Sequence, residues 1–427
     1  MKTYYCKIDN KDKFTSDAII DLNRTSFSFW RESGRRINKY IFGQIDDAIL
    51  DLLYISSFVY LADCISPRAE NLTNWEREFK LTIPLLKNEL FDNIKVKLVE
   101  TFSFLSGDKW DFEFVPRQYT EIEKYNKEKC KQLRQFDAYD CVAMLSGGLD
   151  SLVGAIDLLE EKKKVLFVGS HGRGANVKPY QDYVYNCLSE EYKIQNDFKQ
   201  FSLERYSDGN SPYELTTRSR SINFFAHAIA MANIYRIKKI IIPENGFISL
   251  NIPLSNSRLG SSSTRTTHPY YLFLLNDILK YIGSDIYLRN PYQFKTKGEM
   301  MTECKNRNLL EKMASYTMSC SHPSDRYKGT EARADSHCGY CVPCVIRRAA
   351  FKKAQLEDKS IYRDVHHSSP TALQNYRSFE FGVLLREDFS VFDVLRSGKL
   401  LDYENIEKYF SLYSRGIEEI KDLLMNE

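Results

Sequence analysis

A short run of small and polar residues, Ser146-Gly147-Gly148-Leu149-Asp150-Ser151, follows an apolar segment and opens an amphipathic one. A Gly-Gly pair after a strand lets the backbone turn sharply, with its N–H groups pointing inward at an anion. The helix that begins here adds the positive end of its dipole, and the hydroxyls of Ser146 and Ser151 can donate to phosphate oxygens. We therefore predict a phosphate-binding loop between a strand and a helix.

Asp150 is an unusual neighbour for a phosphate group, and two explanations are open. A Mg²⁺ ion between carboxylate and phosphate would make the contact favourable, or Asp150 could cap the helix. We expect both Ser146 and Asp150 to lie outside the hydrophobic core. The alternative for the whole run is a strand–turn–helix connection that holds no ligand. A Walker loop is excluded because the Gly-Lys-Ser/Thr ending is missing.

Four cysteines form a second cluster. Cys338, Cys341 and Cys344 follow the C-x₂-C-x₂-C spacing, and Cys320 precedes them in the chain. Short knuckles of this kind place thiolates on one tetrahedral centre that a distant fourth cysteine closes. We predict a structural zinc ion; an iron–sulfur cluster also accepts four thiolates, and independent buried thiols are the remaining alternative. Two nearby histidines could compete as ligands, His322 and His337.

Strands and helices alternate from residue 139 onward, which predicts an α/β doubly wound parallel sheet covered on both faces. The predicted strands are 139–145, 165–169, 198–203, 239–242 and 286–288. The predicted helices between them are 152–161, 180–192, 221–235 and 268–282. These elements would position the loop and the chain that leads to the cysteines.

The segments on either side of this pattern differ from it. The first 135 residues predict a separate α+β unit, with a helix at 44–65 and a β-hairpin made of 94–99 and 110–115. Residues 121–135 are charged and predict a linker or a solvated helix. Beyond about residue 355 the chain is charged and mainly helical. We therefore expect an N-terminal domain at 1–135, a central domain with the loop and the metal site at 136–355, and a helical extension at 356–427.

Composition argues against several classes of protein. The net charge of +3 over 427 residues, without a dense basic tract, gives no reason to expect direct nucleic-acid binding. The most apolar stretch, 49–62, is short and contains polar residues, so it predicts a buried helix and no membrane span. The N-terminal segment lacks the apolar region of a signal peptide. A cytoplasmic protein with reduced cysteines is expected.

These motifs resemble those of a known family. The run 146–151 is similar to the PP-loop signature of N-type ATP pyrophosphatases. The four cysteines, followed by Arg347 and Arg348, resemble the zinc site of QueC-like 7-cyano-7-deazaguanine synthases. The resemblance extends over about 138–355 and includes three further segments: Arg220-Ser221-Ile222-Asn223-Phe224-Phe225, Ile240-Ile241-Ile242-Pro243-Glu244-Asn245-Gly246 and Thr296-Lys297-Gly298-Glu299-Met300.

The resemblance implies an ATP-dependent C–N ligase that forms AMP. Enzymes of this kind cleave ATP between the α and β phosphates, transfer AMP to a carboxylate oxygen and let an amine displace the AMP. ATP with Mg²⁺ and a zinc ion are the implied cofactors, and a deazaguanine-type carboxylate is the implied substrate. The intact loop argues against the alternative of a nucleotide-binding module without turnover.

Individual residues acquire expected roles. Asp150, Lys297 and Arg220 are the candidate catalytic residues, since cations stabilise the charge of departing pyrophosphate. ATP is expected at 146–151 and near His171, which ends a strand at the edge where doubly wound sheets bind ligands. The other candidates are Asn245, Arg265 and His268 for the substrate and, as a weaker cation, Arg218. For each cation the alternative is a surface charge or an ion pair, and for His268 it is helix capping or packing.

Two departures from the family matter. After Asn245, the family's substrate-reading run with an Asp is replaced by Phe247-Ile248-Ser249-Leu250-Asn251-Ile252-Pro253. The first 135 residues are a second departure, since simple members of the family lack them. They resemble the extra domain of longer QueC-like proteins of bacterial anti-phage operons, such as the QatC proteins of the Qat system or a related enzyme of some CBASS operons. The segments that carry this resemblance are Tyr60-Leu61-Ala62-Asp63, Trp75-Glu76-Arg77, Ile83-Pro84 and Leu105-Ser106-Gly107-Asp108-Lys109-Trp110. This implies that a deazaguanine is attached through an amide to the N-terminal amine of a partner protein, with an ordinary synthase that uses ammonia as the alternative. The N-terminal domain would recognise that partner, and it contains the three tryptophans of the chain, Trp30, Trp75 and Trp110.

Overall fold

The described residues of the protein, seen here in a computed structural model, form two parallel β-sheets and the helices that cover them. The structure describes residues 1–9, 18–27, 29–30, 39–68, 76–131, 138–171, 177–195, 197–203, 214, 218–252, 265–321, 336–384, 390–396, 398–400 and 405–425. In those ranges, no helix has both the length and the apolar character that crossing a membrane requires.

Within the described ranges, four strands build the first sheet: β1 (Lys2–Lys7), β2 (Ile19–Asp21), β3 (Glu78–Leu85) and β4 (Lys109–Pro116). They lie in the order β2-β1-β3-β4, and each neighbouring pair is parallel. Four helices accompany them: α1 (Asp47–Cys64), α2 (Asn88–Asn93), α3 (Lys95–Ser106) and α4 (Glu121–Cys130). Parallel pairing needs a crossover between strands, and α1, α2 and α3 lie in these crossovers.

The predicted hairpin of 94–99 and 110–115 is wrong. The first of these segments belongs to α3, which buries Leu98, Phe102 and Leu105 at helical spacing. Gly107 follows α3 with a φ of +71°, a conformation that suits a residue without a side chain. The alternation over 94–99 is too short to separate strand from helix. The described part of the first unit is therefore an α/β arrangement with a parallel sheet, which corrects the α+β expectation.

The prediction of a linker or solvated helix near 121–135 is confirmed for α4, which is mostly solvated and buries only Glu123 and Asn126. Glu123 of α4 is buried and accepts hydrogen bonds from the Tyr54 hydroxyl (2.8 Å) and from Arg117 Nη1 (2.8 Å). Thr120 and Glu123 form a capping box that fixes the start of the helix. α4 is thus anchored to α1 and to the chain after β4, while 132–137 lies outside the described residues.

The part of the chain that the structure describes contributes five strands to the second sheet: β5 (Cys141–Met144), β6 (Val165–His171), β7 (Phe198–Ser202), β8 (Lys239–Ile241) and β9 (Tyr287–Arg289). Their order is β7-β6-β5-β8-β9 and all pairs are parallel, which confirms the predicted parallel sheet. The helices of this part are α5 (Leu149–Glu160), α6 (Lys178–Tyr192), α7 (Arg220–Ile234), the short α8 (Gly246–Leu250) and α9 (Pro269–Tyr281). The chain order reverses between β5 and β8, where sheets of this kind bind ligands.

Helices dominate the rest of the described chain, as predicted for its last part. They are α10 (Lys297–Thr302), α11 (Arg307–Ala314), α12 (Val342–Ala354), α13 (Pro370–Phe379), which a π-helical turn continues (Glu380–Leu384), α14 (Val391–Arg396) and α15 (Ile406–Met425). Buried side chains of α12 and α15 form one apolar cluster together with Phe247 and Leu250 of α8. Helices α12 and α15 are therefore packed against α8, which lies in the connection between β8 and β9.

One apolar core joins the two sheets. Phe58 of α1 and Phe112 of β4 belong to the same cluster of buried side chains as Ile229 of α7 and Tyr271 of α9. α1 packs on α7 and α3 packs on α9, so the first unit covers one face of the second sheet. Removal of the first unit would expose that apolar face to water. The domain boundaries at 135 and 355 stay predictions.

A buried group of charges fixes the first unit to the start of α7. Arg77 Nη2 lies 2.5 Å from Asp63 Oδ1 and 2.7 Å from Asp108 Oδ2. Asp63 also accepts hydrogen bonds from the backbone N–H (2.9 Å) and the hydroxyl (2.7 Å) of Ser219, the N-cap of α7. Charges without access to water are tolerated only when each has a partner. Asp63 is thus shared between the two units.

Asp63→Ala should lower the free energy of unfolding of the full chain by about 3–5 kcal/mol, because it removes one partner of a buried arginine. Chemical denaturation measures this change. Glu76→Ala is the matched control, since Glu76 forms an exposed ion pair with Lys109 (2.7 Å) and should leave stability unchanged. Equal stability of both variants would contradict a structural role of the buried charges.

Candidate functional site

The glycine loop, residues 145–148, connects β5 to α5. Gly147 has a φ of +79°, and a Cβ atom there would lie 2.8 Å from the backbone nitrogen of Gln181. Ser146 is exposed; its Oγ accepts a hydrogen bond from the N–H of Gly148 (3.3 Å) and lies 3.1 Å from Ser151 Oγ. The loop thus presents a hydroxyl beside the N-terminus of a 12-residue helix, which suits an anion.

Asp150, in the first turn of α5, is buried among polar groups and belongs to none of the apolar clusters of the described residues. Its Oδ1 lies 2.7 Å from Lys297 Nζ, and both side chains are almost fully buried. Burial alone would raise the pKa of Asp150, but the lysine charge and the hydrogen bonds to the carboxylate outweigh it and lower the pKa below its usual value. The carboxylate is therefore held in its ionised form.

Asn245 fixes the other carboxylate oxygen. Its backbone N–H and its Nδ2 donate to Asp150 Oδ2, at 3.1 and 2.7 Å. Its Oδ1 accepts from the backbone of Ile248 (2.9 Å) and so caps α8. The buried Asn245 side chain thus positions Asp150; its predicted contact with substrate stays a prediction.

Lys297 is placed by the start of α10. Thr296 and Glu299 form a capping box, with Thr296 Oγ1 accepting from the Glu299 N–H (3.1 Å) and the Glu299 carboxylate accepting from the Thr296 N–H (2.9 Å). This cap fixes the first helical residue, Lys297, whose amine reaches Asp150. The ion pair that was the alternative for Lys297 is present, but its partner Asp150 was not predicted, because the separation of the two residues in sequence gives no sign of contact.

Glu244 is a member of the site that the sequence reasoning missed. It lies three residues after the end of β8, and β8 pairs with β5, so its backbone comes to the sheet edge where the glycine loop begins. Removal from water and the negative charge of Asp150 raise the pKa of Glu244 well above its usual value. Its position after the strand beside the loop, at the switch point of the sheet, was the available signal.

His171 and Arg220 lie at the same edge of the second sheet. His171 is the last residue of β6, the neighbour of β5, and is half-buried. Arg220 is the first residue of α7 and is exposed, with its guanidinium 5.2 Å from the centre of the Phe224 ring. Both positions agree with a ligand crevice at the carboxyl ends of the strands, and both roles stay predictions.

The structure places Arg218, Arg265 and His268 against α3 of the first unit. Arg218 Nη1 donates to the carbonyl of Ser106 (3.2 Å), and Arg265 Nη1 donates to that of Phe104 (3.0 Å). His268 is fully buried, and its Nδ1 accepts from the N–H of the helical residue two positions on, at 3.2 Å, to cap α9. Burial and Arg265 lower the pKa of His268 to about 3, which keeps its ring neutral for this contact. Helix capping was the alternative to substrate contact for His268, and the structure shows this capping role.

The four cysteines converge as predicted. Their sulfur atoms lie within 4.8 Å of one another; Cys320 and Cys341 are 3.9 Å apart, and Cys338 and Cys344 are 3.8 Å apart. Zinc–sulfur bonds of about 2.3 Å in a tetrahedron require sulfur separations near these values. Backbone N–H groups donate to two of the sulfurs, as in metal knuckles. The set could hold a zinc ion.

His337 does not join the described cysteine cluster. His337 is directed to the carbonyl of Thr317, 3.1 Å from its Nε2, and His322 lies outside the described residues. Buried Arg347 supports the chain before Cys320 by donating to Thr317 Oγ1 (2.8 Å) and to the carbonyl of Ala314 (2.6 Å). The resemblance had placed this arginine after the cysteines without a role, and the structure gives it a structural one.

The chain that leads to Cys320 also touches the glycine loop. The N–H of Met318 donates to the carbonyl of Gly147 (2.9 Å), and a Cβ atom at Gly148 would lie 3.3 Å from the carbonyl oxygen of Met318. Since Met318 is two residues from a cysteine ligand candidate, the cysteine cluster and the loop share one segment. Order at the cluster therefore supports the shape of the loop.

One stretch of the chain is similar to known proteins. It is 38% identical over 82 residues to the 7-cyano-7-deazaguanine synthases of Brucella ovis, Brucella canis and Brucella suis. The matched stretch is 19% of this chain, and it spans only 29% of the length of those relatives. No protein-family model matches the chain. The similarity is therefore a partial one, to proteins that carry the name 7-cyano-7-deazaguanine synthase.

We expect about one zinc ion per purified chain, and Cys341→Ser should lose it and unfold at lower temperature, since metal binding energy is also folding energy. Elemental analysis with thermal melting measures both. Cys130→Ser is the control, because this half-buried cysteine lies outside the cluster, and it should keep its zinc. Iron with visible absorbance, or full zinc in Cys341→Ser/Cys344→Ser, would overturn the assignment.

Proposed function

We propose that the protein is an ATP pyrophosphatase that joins a carboxylic acid to an amine. The observation that carries this proposal is the meeting of Asp150, Glu244 and Lys297 at the start of α5, beside the glycine loop. A helix N-terminus binds phosphate, a lysine neutralises its charge, and a carboxyl pair binds a divalent cation. Chemistry at the phosphates of ATP requires these groups.

Mg²⁺ suits the carboxyl pair. The raised pKa of Glu244 means that two negative charges are unfavourable here without a further cation. Mg²⁺ prefers carboxylate oxygens together with substrate phosphates as ligands, so Asp150 and Glu244 would hold it. Bound with ATP, it supplies charge neutralisation at the phosphates.

The chain's own residues act at defined points of the reaction. Ser146 and Ser151 bind the phosphates, and His171 borders the nucleotide at the neighbouring strand end. A carboxylate oxygen of the acid attacks the α-phosphorus, and the bond to the bridging oxygen of the β-phosphate breaks. Lys297 and Arg220 stabilise the charge of the leaving pyrophosphate. The amine then attacks the acyl carbon and loses a proton, and AMP leaves with the former carboxylate oxygen.

A 7-deazaguanine carboxylate is the proposed acid. The similarity to proteins named 7-cyano-7-deazaguanine synthases supports this class. Because Asn245 is engaged with Asp150, other groups must recognise the ring system. Arg265 remains the candidate, since a hydrogen bond between the hydroxyls of Ser249 and Thr267 (2.9 Å) ties its segment to α8, whereas His268 is fully buried and caps α9.

An N-terminal amine of a partner protein from the same anti-phage operon is the proposed acceptor. The first unit, which resembles that of longer defence-linked proteins, would recognise the partner. Trp110 is buried against Phe79, with ring centres 4.5 Å apart, and serves the core. Trp30 is half-buried, and Trp75 lies outside the described residues. Recognition would therefore use other surface groups, and ammonia is the alternative acceptor.

Lys297→Ala should lower the rate of pyrophosphate release from ATP by about 100-fold, the usual loss when one group that stabilises transition-state charge is removed. Coupled-enzyme detection of pyrophosphate, with the deazaguanine carboxylate and ammonia present, measures it. Lys295→Ala is the matched control, because Lys295 pairs with Glu303 (2.5 Å) away from the loop. Equal rates in the two variants, or ADP and phosphate as the wild-type products, would contradict the proposal.

Products separate the two acceptors. With the operon partner present, we expect mass spectrometry to find a deazaguanine amide on the partner's N-terminal amine, formed only with ATP. A partner whose N-terminus is acetylated is the control and should stay unmodified, because acetylation removes the nucleophile. A free carboxamide or nitrile as the sole product would instead identify an ordinary synthase. ATP binding without any product would identify a binding module.

A further inference from the structure

The C-terminal helix α15 lies against the segment that carries Asn245. A Cβ atom at Gly416 of α15 would come within 2.2 Å of the Phe247 ring, so only glycine allows this approach. A Cβ atom at Gly246 would lie 2.7 Å from Leu412 Cδ2. The start of α8, which Asn245 caps, is therefore packed directly on α15.

α15 also reaches the start of α10, which carries Lys297. The hydroxyl of Thr296, the N-cap of α10, donates a short hydrogen bond to Glu419, which is 9% exposed. Gly298 leaves room for this contact, since a Cβ atom there would lie 2.7 Å from Glu419 Oε1. Thr296 thus has a partner on α15 in addition to its own capping box.

Arg415, one turn before Glu419 on α15, also binds the start of α10 and the chain before it. Its Nε donates to Glu299 Oε1 (2.5 Å), the carboxylate of the capping box. Its Nη2 donates to the carbonyl of Phe294 (2.9 Å). Both members of the capping box that sets Lys297 are therefore bound to α15.

We propose that α15 belongs to the nucleotide site, with Glu419 and Arg415 as positioning residues that hold Lys297 against Asp150. The two side chains that fix Asp150, Asn245 and Lys297, come from α8 and α10, and α15 packs on both. This inference rests on the proposed function for its effect on catalysis, and on geometry alone for its effect on α10. It gives the helical extension a part in the chemistry, although it lies beyond the stretch that resembles the family.

Glutamine at position 419 separates positioning from simple packing. Burial raises the pKa of Glu419 to about 7, and nearby Glu299 adds to the shift. Glutamine imitates the uncharged acid in shape and can still accept from the Thr296 hydroxyl. Glu419→Gln should therefore preserve the contact, and Glu419→Ala should remove it.

The test compares Glu419→Ala, Glu419→Gln and Arg415→Ala in the full chain, with exposed Glu418→Ala as the matched control on the same helix. We expect kcat for pyrophosphate release to fall about tenfold or more in the two disrupting variants, a loss typical of misplaced catalytic groups. Glu419→Gln and Glu418→Ala should stay within about twofold of wild type. Hydrogen exchange at the amides of 297–302 should accelerate only in the disrupting variants.

Each outcome is informative. Glu419→Ala with wild-type kcat and wild-type exchange over 297–302 would overturn the proposal. So would a variant that melts earlier but turns over normally while folded, because α15 would then only add stability. If Glu419→Ala does not fold, half-buried Arg415→Ala carries the comparison. A wild-type chain that releases no pyrophosphate would refute the proposed function, whereas the exchange data would still decide whether α15 holds α10.

Discussion

The buried ion pair between Asp150 and Lys297 is the contact on which the rest of the site depends. A carboxylate and an amine this far from water are stable only with each other and with further hydrogen bonds. Those bonds come from Asn245, and the neighbouring carboxyl comes from Glu244. Helices α5, α8 and α10 must therefore keep their mutual positions for the pair to exist.

Several parts of the fold keep these three helices and the glycine loop in position. The parallel second sheet brings the ends of β5 and β8 side by side at its switch point. The segment before Cys320 binds the glycine loop through Met318, so the cysteine cluster secures the loop from outside. The first unit covers the face of the second sheet on which α7 and α9 lie, and it fixes the start of α7 through Asp63. The cysteine cluster and the first unit, which are distant from the glycine loop in sequence, thus contact the elements that form the site.

Much of this arrangement was predictable from the sequence, and the exceptions have physical reasons. The glycine loop and the cysteine cluster were found because their chemistry needs residues at fixed, short spacings. The hairpin at 94–99 was wrong because a few alternating residues also fit the face of a helix. Glu244, and the buried state of Asp150, were missed because both depend on contacts between distant segments. The capping role of His268 was weighed, but only its burial under α3 and the C-terminal chain decides it.

Transfer of oxygen from the acid to AMP tests the central claim most directly. The acid is prepared with ¹⁸O in its carboxylate and incubated with ATP, Mg²⁺ and an amine. The mass of the AMP that forms is then measured by mass spectrometry. An acyl adenylate intermediate predicts AMP with one ¹⁸O atom, because the attacking carboxylate oxygen stays on the phosphorus when the amine displaces AMP. Unlabelled AMP would show hydrolysis by water, and ADP in place of AMP would show cleavage at the wrong phosphate. Either result would contradict the account.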